Sequence, residues 1–170
     1  MKKSLLLFIF VGLVISSCRD DNDNPYTRTG DLQSRLTNDW ELTHVEYEAY
    51  IPNPLNPSQG ANISGEGEDT YGTFNYYQDA SADYFMGFTA RIDIGTSEPL
   101  RLPFYREGIG SWWLVGNDSI YLEDGIDTLK WEILEDYDQR QRWQTVMPIF
   151  DTASGTFVPV DMLVILRSDL

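Results

Sequence analysis

Tyr84, Met86, Phe88, Ala90, Ile92 and Ile94 fall on one parity of the chain. Phe85, Gly87, Thr89, Arg91 and Asp93 fall on the other, which is mostly polar. A period of two with one apolar face marks an antiparallel strand buried on one side. Leu100, Leu102 and Phe104 repeat the pattern, as do Ile120 and Leu122. Leu129, Trp131 and Ile133 oppose Lys130, Glu132 and Leu134, and Val158, Val160, Met162, Val164 and Leu166 alternate with Asp161 and Arg167. Further strands are expected over 70–77 and 140–150, with a hairpin of 111–115 and 118–123 turning at Gly116-Asn117.

One strand breaks phase. Trp40 and Leu42 share a face, whereas Val45, Tyr47 and Ala49 share the other parity. A one-residue bulge near Thr43-His44 brings both sets inward. Residues 51–69, with Pro52, Pro54, Pro57, Gly60, Gly65 and Gly67, read as a long irregular connection. After the N-terminal apolar run no helical stripe of about ten residues occurs. The expectation is an all-β domain of about eight to ten antiparallel strands in sequential order, an up-and-down barrel or a sandwich.

The N-terminus follows a different logic. Lys2 and Lys3 precede an apolar run over 5–15, and Ser16 and Ser17 lead to Cys18, the one cysteine in 170 residues. Eleven residues at about 1.5 Å each are too short to cross a core of about 30 Å. The arrangement resembles the signal peptide and lipobox of bacterial lipoproteins, which implies cleavage after residue 17 and acylation of Cys18. Arg19, Asp20, Asp21 and Asp23 open a polar segment resembling the acidic export signals of some Gram-negative lipoproteins, so an outer-membrane, surface-facing location is expected. The expected organisation is a signal peptide over 1–17, an acidic tether over 18–30 and one domain over 31–170.

Composition narrows the partners. The formal charge is −15, from 12 Lys+Arg against 27 Asp+Glu, and becomes −17 once Lys2 and Lys3 leave with the signal. Such a surface repels phosphate backbones, so nucleic acid is not an expected partner. An aromatic content of 14% favours a packed β-rich body. With Cys18 committed to lipid, no disulfide or thiolate metal site is expected.

The segment Leu36-Thr37-Asn38-Asp39-Trp40-Glu41-Leu42 resembles the opening of lipocalin-like domains in bacterial lipoproteins, where a short turn precedes a Trp-x-Leu strand. Thr73-Phe74 fits the family's second strand. The hairpin from Gly110 through Trp112 and Asn117 to Leu122 resembles its mid-barrel motif, and Trp131-Glu132-Ile133-Leu134 and Leu163-Val164-Ile165-Leu166-Arg167 resemble its later strands. The resemblance implies an up-and-down β-barrel with a short N-terminal helical turn and a cavity for a small apolar ligand. It also implies that Arg167 of the last strand lies over the indole of Trp40.

Candidate chemistry is sparse. A catalytic triad would have to use His44, the single histidine, and the chain has no Gly-x-Ser-x-Gly turn. Beside Glu46 and Glu48, His44 reads as a partly exposed strand residue, and one histidine does not make a zinc site. Gly65-Glu66-Gly67-Glu68-Asp69 lacks the ligand order of an EF-hand. Asp118-Ser119-Ile120, Asp127-Thr128-Leu129 and Asp151-Thr152-Ala153 resemble acceptors of bacterial O-glycosylation, at Ser119, Thr128 and Thr152; Asp before Ser or Thr is also ordinary turn chemistry. No enzymatic activity, metal or cofactor is expected. Tyr84, Met86, Phe88, Trp131 and Trp143 are the expected walls of a pocket for a small neutral or apolar ligand. The rival expectation is an acidic interaction module that docks a basic protein, as lysozyme-inhibitor lipoproteins do, with glycan uptake a third possibility.

Overall fold

In the computed structural model the described residues are 27–53, 56–92, 98–151 and 156–168. The signal run, Cys18, the export-signal residues Arg19, Asp20, Asp21 and Asp23, and Thr152 lie outside them. The described chain is all-β apart from one short helix, α1 (Leu32–Leu36). Its nine strands are β1 (Asp39–Asn53), β2 (Asn56–Glu66), β3 (Glu68–Tyr76), β4 (Ser81–Ile92), β5 (Leu100–Val115), β6 (Ser119–Glu123), β7 (Thr128–Tyr137), β8 (Arg140–Asp151) and β9 (Thr156–Arg167). All pairings are antiparallel, and β3 to β9 neighbour one another in chain order. β1 pairs with β3 on one edge and β9 on the other, so the hydrogen bonds form a closed ring.

Burial explains the ring. Trp40, Leu42, Val45, Tyr47 and Ala49 are all buried, and the β1–β9 register shifts between Leu42 and His44. That is the bulge which the phase break requires, and it keeps both apolar parities facing inward. Val158, Val160, Met162, Val164 and Leu166 line the same core from β9, with Leu129, Trp131, Trp143 and Met147 from β7 and β8.

The helix seals one end of the ring. Asp31 caps α1, its carboxylate accepting the Ser34 N–H at 2.7 Å. Leu36 is fully buried, and its carbonyl accepts the Trp40 indole N–H at 3.0 Å. Arg35 forks onto Asp136 near the end of β7 and donates to the Gly30 carbonyl at 2.7 Å. The last tether residues are therefore docked rather than free: the Thr29 N–H donates to Asp138, and Arg28 lies over the Tyr137 ring at 4.9 Å.

Three expectations change. The 51–69 connection is largely the strand β2, paired with β1 from Glu46↔Glu66 to Asn53↔Asn56 and running into β3 through Gly67, whose N–H donates to Val45. Leu100 and Leu102 are exposed, because β5 outruns β6: β6 pairs with Ser111–Val115 alone, leaving the first half of β5 backed by β4. Third, the Trp40–Arg167 pair does not form. The register sets Arg167 opposite Glu41, both exposed on the outer face, while Trp40 points inward.

At the end remote from α1, β3 pairs with β4 no further than Glu68↔Thr89. Beyond that point Tyr47 bridges the seam. Its hydroxyl donates to the Arg91 carbonyl at 2.8 Å and accepts the Arg91 N–H at 2.9 Å. One phenol thus gives β4 the backbone partners that a neighbouring strand would supply. Tyr47 also stacks on Phe88, with centroids 5.8 Å apart. A Cβ on Gly65 would approach the Tyr47 hydroxyl to 3.0 Å, and one on Gly67 would approach Phe88 equally closely.

Candidate functional site

The five expected pocket residues all come from inward parities and are all buried. Phe74 sits at their centre. Its ring stacks on Tyr84 at 5.5 Å and meets Trp131 at 5.7 Å and Trp143 at 6.0 Å, both edge-on. Tyr76, two residues on along β3, meets Trp112 at 5.2 Å and Trp143 at 5.7 Å. Phe88 belongs to a second cluster towards the seam, 4.9 Å from Phe104. The pocket walls are thus brought together, but much of the space among them is taken by their own rings.

Beside the aromatic cluster lies a buried charged network. Asp124 Oδ2 accepts from the Tyr84 hydroxyl at 2.7 Å and from an Arg106 terminal nitrogen at 2.9 Å, and Arg106 Nε donates to the same Tyr84 hydroxyl at 2.8 Å. Asp124 Oδ1 accepts the N–H groups of Ile126 and Asp127, forming the turn between β6 and β7. Burial works against the Asp124 charge, yet the hydrogen bonds from Tyr84, Arg106 and the two backbone amides outweigh it and hold the carboxyl well below its ordinary range. Burial, followed by donation to Asp124, pushes the Tyr84 hydroxyl upward. Gly108 makes the approach possible, because a Cβ there would meet Tyr84 at 2.6 Å and Asp124 at 2.7 Å.

Two polar atoms stand apart from this economy of partners. The buried indoles of Trp40, Trp112 and Trp143 donate to Leu36 O, Tyr77 O and Gln141 Oε1. The buried phenols of Tyr47 and Tyr84 are hydrogen-bonded as well. Trp131 Nε1 and the Tyr76 hydroxyl are buried without a hydrogen-bond partner among the described residues. Each such donor costs about 1–3 kcal/mol when left unmet. Burial, and secondarily Tyr84, pushes the Tyr76 hydroxyl upward, so it stays protonated and a donor.

A second candidate lies on the outer face. A groove of about 510 Å³ across β2, β1, β9 and β8 is lined by the exposed carboxylates Glu46, Glu48, Glu66 and Asp161. The register sets Glu46 directly opposite Glu66 and Glu48 opposite Asp161. Directly opposed like charges destabilise a sheet; beside this pair, His44 Nε2 lies 3.3 Å from Glu46.

Other candidate residues are placed without converging. Among the described residues no group of three or more His, Cys, Asp or Glu is arranged to hold a metal ion. Glu68 of the acidic 65–69 stretch is engaged by Arg101 at 3.0 Å and Arg91 at 3.7 Å. Thr128 is exposed, but Ser119 is buried with its hydroxyl on Asp118, so a glycan has no access there. Tyr47, Tyr76, Arg106 and Asp124 were not singled out from the sequence. Arg106 continues the inward parity of Phe104 and is followed on that parity by Gly108 and Gly110, which was the available signal. A scan of the chain against protein-family models finds no match, and a search of curated proteins finds none either.

Proposed function

We propose that this chain is a lipid-anchored, non-enzymatic, lipocalin-like β-barrel that takes a small neutral or apolar molecule into its interior, at the outer membrane of a Gram-negative bacterium. The observation that carries this reading is the aromatic interior of a closed antiparallel ring, holding two buried donors without partners. Aromatic walls with a few polar groups are the usual lining of small-molecule sites. His44, which a nucleophilic mechanism would need, is a half-buried strand residue next to Glu46. The test is native mass spectrometry of the protein extracted from its own membranes. A small-molecule adduct is expected. A bare chain that reloads with no neutral compound from a lipid extract would overturn the reading.

The opposed carboxylates of the outer groove support a second reading, in which a basic protein docks there. In that case the same spectra would show a protein adduct that dissociates as salt is raised.

The anchor rests on Lys2, Lys3, the apolar run and Cys18. Cys18→Ser is expected to move the protein from the membrane pellet to the soluble fraction, because every acyl chain depends on that thiol. A variant that still sediments with outer membranes in high salt would remove the lipid anchor from the proposal.

A further inference from the structure

The cations of this chain are unevenly placed. Setting Lys2, Lys3 and Arg19 aside from the 12 Lys+Arg leaves nine in the described residues, and five of them lie towards the α1 end. Arg28 lies over Tyr137 and Arg35 holds Asp136, while Arg140, Arg142 and Arg167 share the outer face of β8 and β9. Arg140 stands directly opposite Arg167, and Arg142 follows two residues along β8. Like charges in register weaken a sheet. Glu135 engages Arg140 and, at 3.5 Å, Arg142, so one carboxylate serves two guanidinium groups. The exposed Arg167 makes no ion pair among the described residues.

The same face turns acidic further from α1. Asp161, six residues from Arg167 and about 20 Å along β9, faces Glu48, and Glu46 faces Glu66. The arginine end is also where the N-terminal segment docks, through Arg28 and Thr29. Residues 19–26, between Cys18 and that segment, reach about 30 Å at most. An acyl anchor on Cys18 therefore keeps this end within reach of the bilayer, whereas an anionic surface repels the acidic remainder.

We propose that Arg140, Arg142 and Arg167 form a docking surface for the phosphate groups of lipid headgroups, in the membrane that carries the anchor. The inference rests on the lipid-anchored reading and deepens it. A guanidinium suits this partner, because its planar donor fork pairs with two phosphate oxygens at once. Headgroup phosphates supply the counter-charge that the opposed Arg140 and Arg167 lack between them. The domain then stands on its α1 end, with the Glu46–Glu66 groove turned away from the bilayer.

The test reads orientation. The acylated protein is reconstituted into vesicles of phosphatidylcholine and phosphatidylglycerol that carry a headgroup-linked energy acceptor. With Cys18 acylated, one added cysteine takes the donor dye, at Gln33→Cys on α1 or at Ser64→Cys in the groove. Transfer from position 33 is expected to exceed that from position 64 about threefold. Arg140→Gln/Arg142→Gln/Arg167→Gln is expected to cut that ratio about twofold, and high salt to do the same in the unaltered arginine set. A ratio unmoved by the triple variant and by salt would overturn the docking surface and leave the tether alone to orient the domain. A ratio near unity in the unaltered set would overturn it as well. If the protein does not enter vesicles at all, the lipid-anchored reading falls and takes this inference with it. Should the triple variant fail to fold, Arg167→Gln together with the salt dependence decides.

Discussion

Phe74→Ala is expected to destabilise the protein by about 3–5 kcal/mol, the range for removing a large aromatic side chain from a packed core. Phe74 contacts side chains from β4, β7 and β8, so its loss opens a void at the point where opposite walls of the ring meet. The rigid rings around it relax poorly, because a tryptophan cannot refill a phenyl-shaped gap without leaving its rotamer. Urea unfolding should show a lower midpoint with an unchanged slope. Phe85→Ala, on the exposed face of the adjoining strand, is the control and should cost about 1 kcal/mol or less. Comparable costs for the two variants would mean that the aromatic cluster does not hold the ring together.

The second large effect concerns charge. Arg106→Met should cost about 3–5 kcal/mol at neutral pH, because it leaves the fully buried side chain of Asp124 without its cation. Acid should narrow that gap. In the unaltered protein the Asp124 carboxyl is held below its ordinary value, so its contribution is present above about pH 4, the unfolded range, and fades as pH falls further. In Arg106→Met the cation is gone and burial remains, so protonation of Asp124 relieves the native state. Urea midpoints at neutral pH and near pH 3 should therefore converge, and Arg106→Met/Asp124→Asn should recover much of the loss. A constant difference at both pH values would show that Arg106 acts through packing rather than through its charge.

The strands were legible where burial imposes alternation. β4, β7 and β9 carry their inward residues on one parity, and the bulge in β1 is visible as a change of parity. β2 was not legible, because 56–66 contains one large aliphatic residue, Ile63, amid Asn, Ser, Gly and Gln. Its conformation comes from pairing with β1, which is tertiary information. Leu100 and Leu102 look like core from their own pattern, but a missing neighbour strand decides their exposure. The pairing of first and last strands follows from closing the edges. The register does not: one residue's difference places Arg167 beside Glu41 instead of near Trp40 and turns it to the other face. Arg167→Lys is accordingly silent for Trp40. Within the candidate site, residue types and inward parity were legible. Which buried donors lack acceptors was not, because it depends on backbone carbonyls such as Leu36 O and Tyr77 O that happen to lie within reach of other rings.

The Tyr47 bridge has a consequence for how the molecule breathes. Around α1 the wall is continuous, with each strand held on both sides, so opening there requires nearly global unfolding. At the far end the wall is fastened to Arg91 by side chains, the Tyr47 phenol and the Glu68 carboxylate, so it can part there without breaking any strand ladder. Stability is thus graded along the axis, from a rigid floor to a rim that unfastens locally.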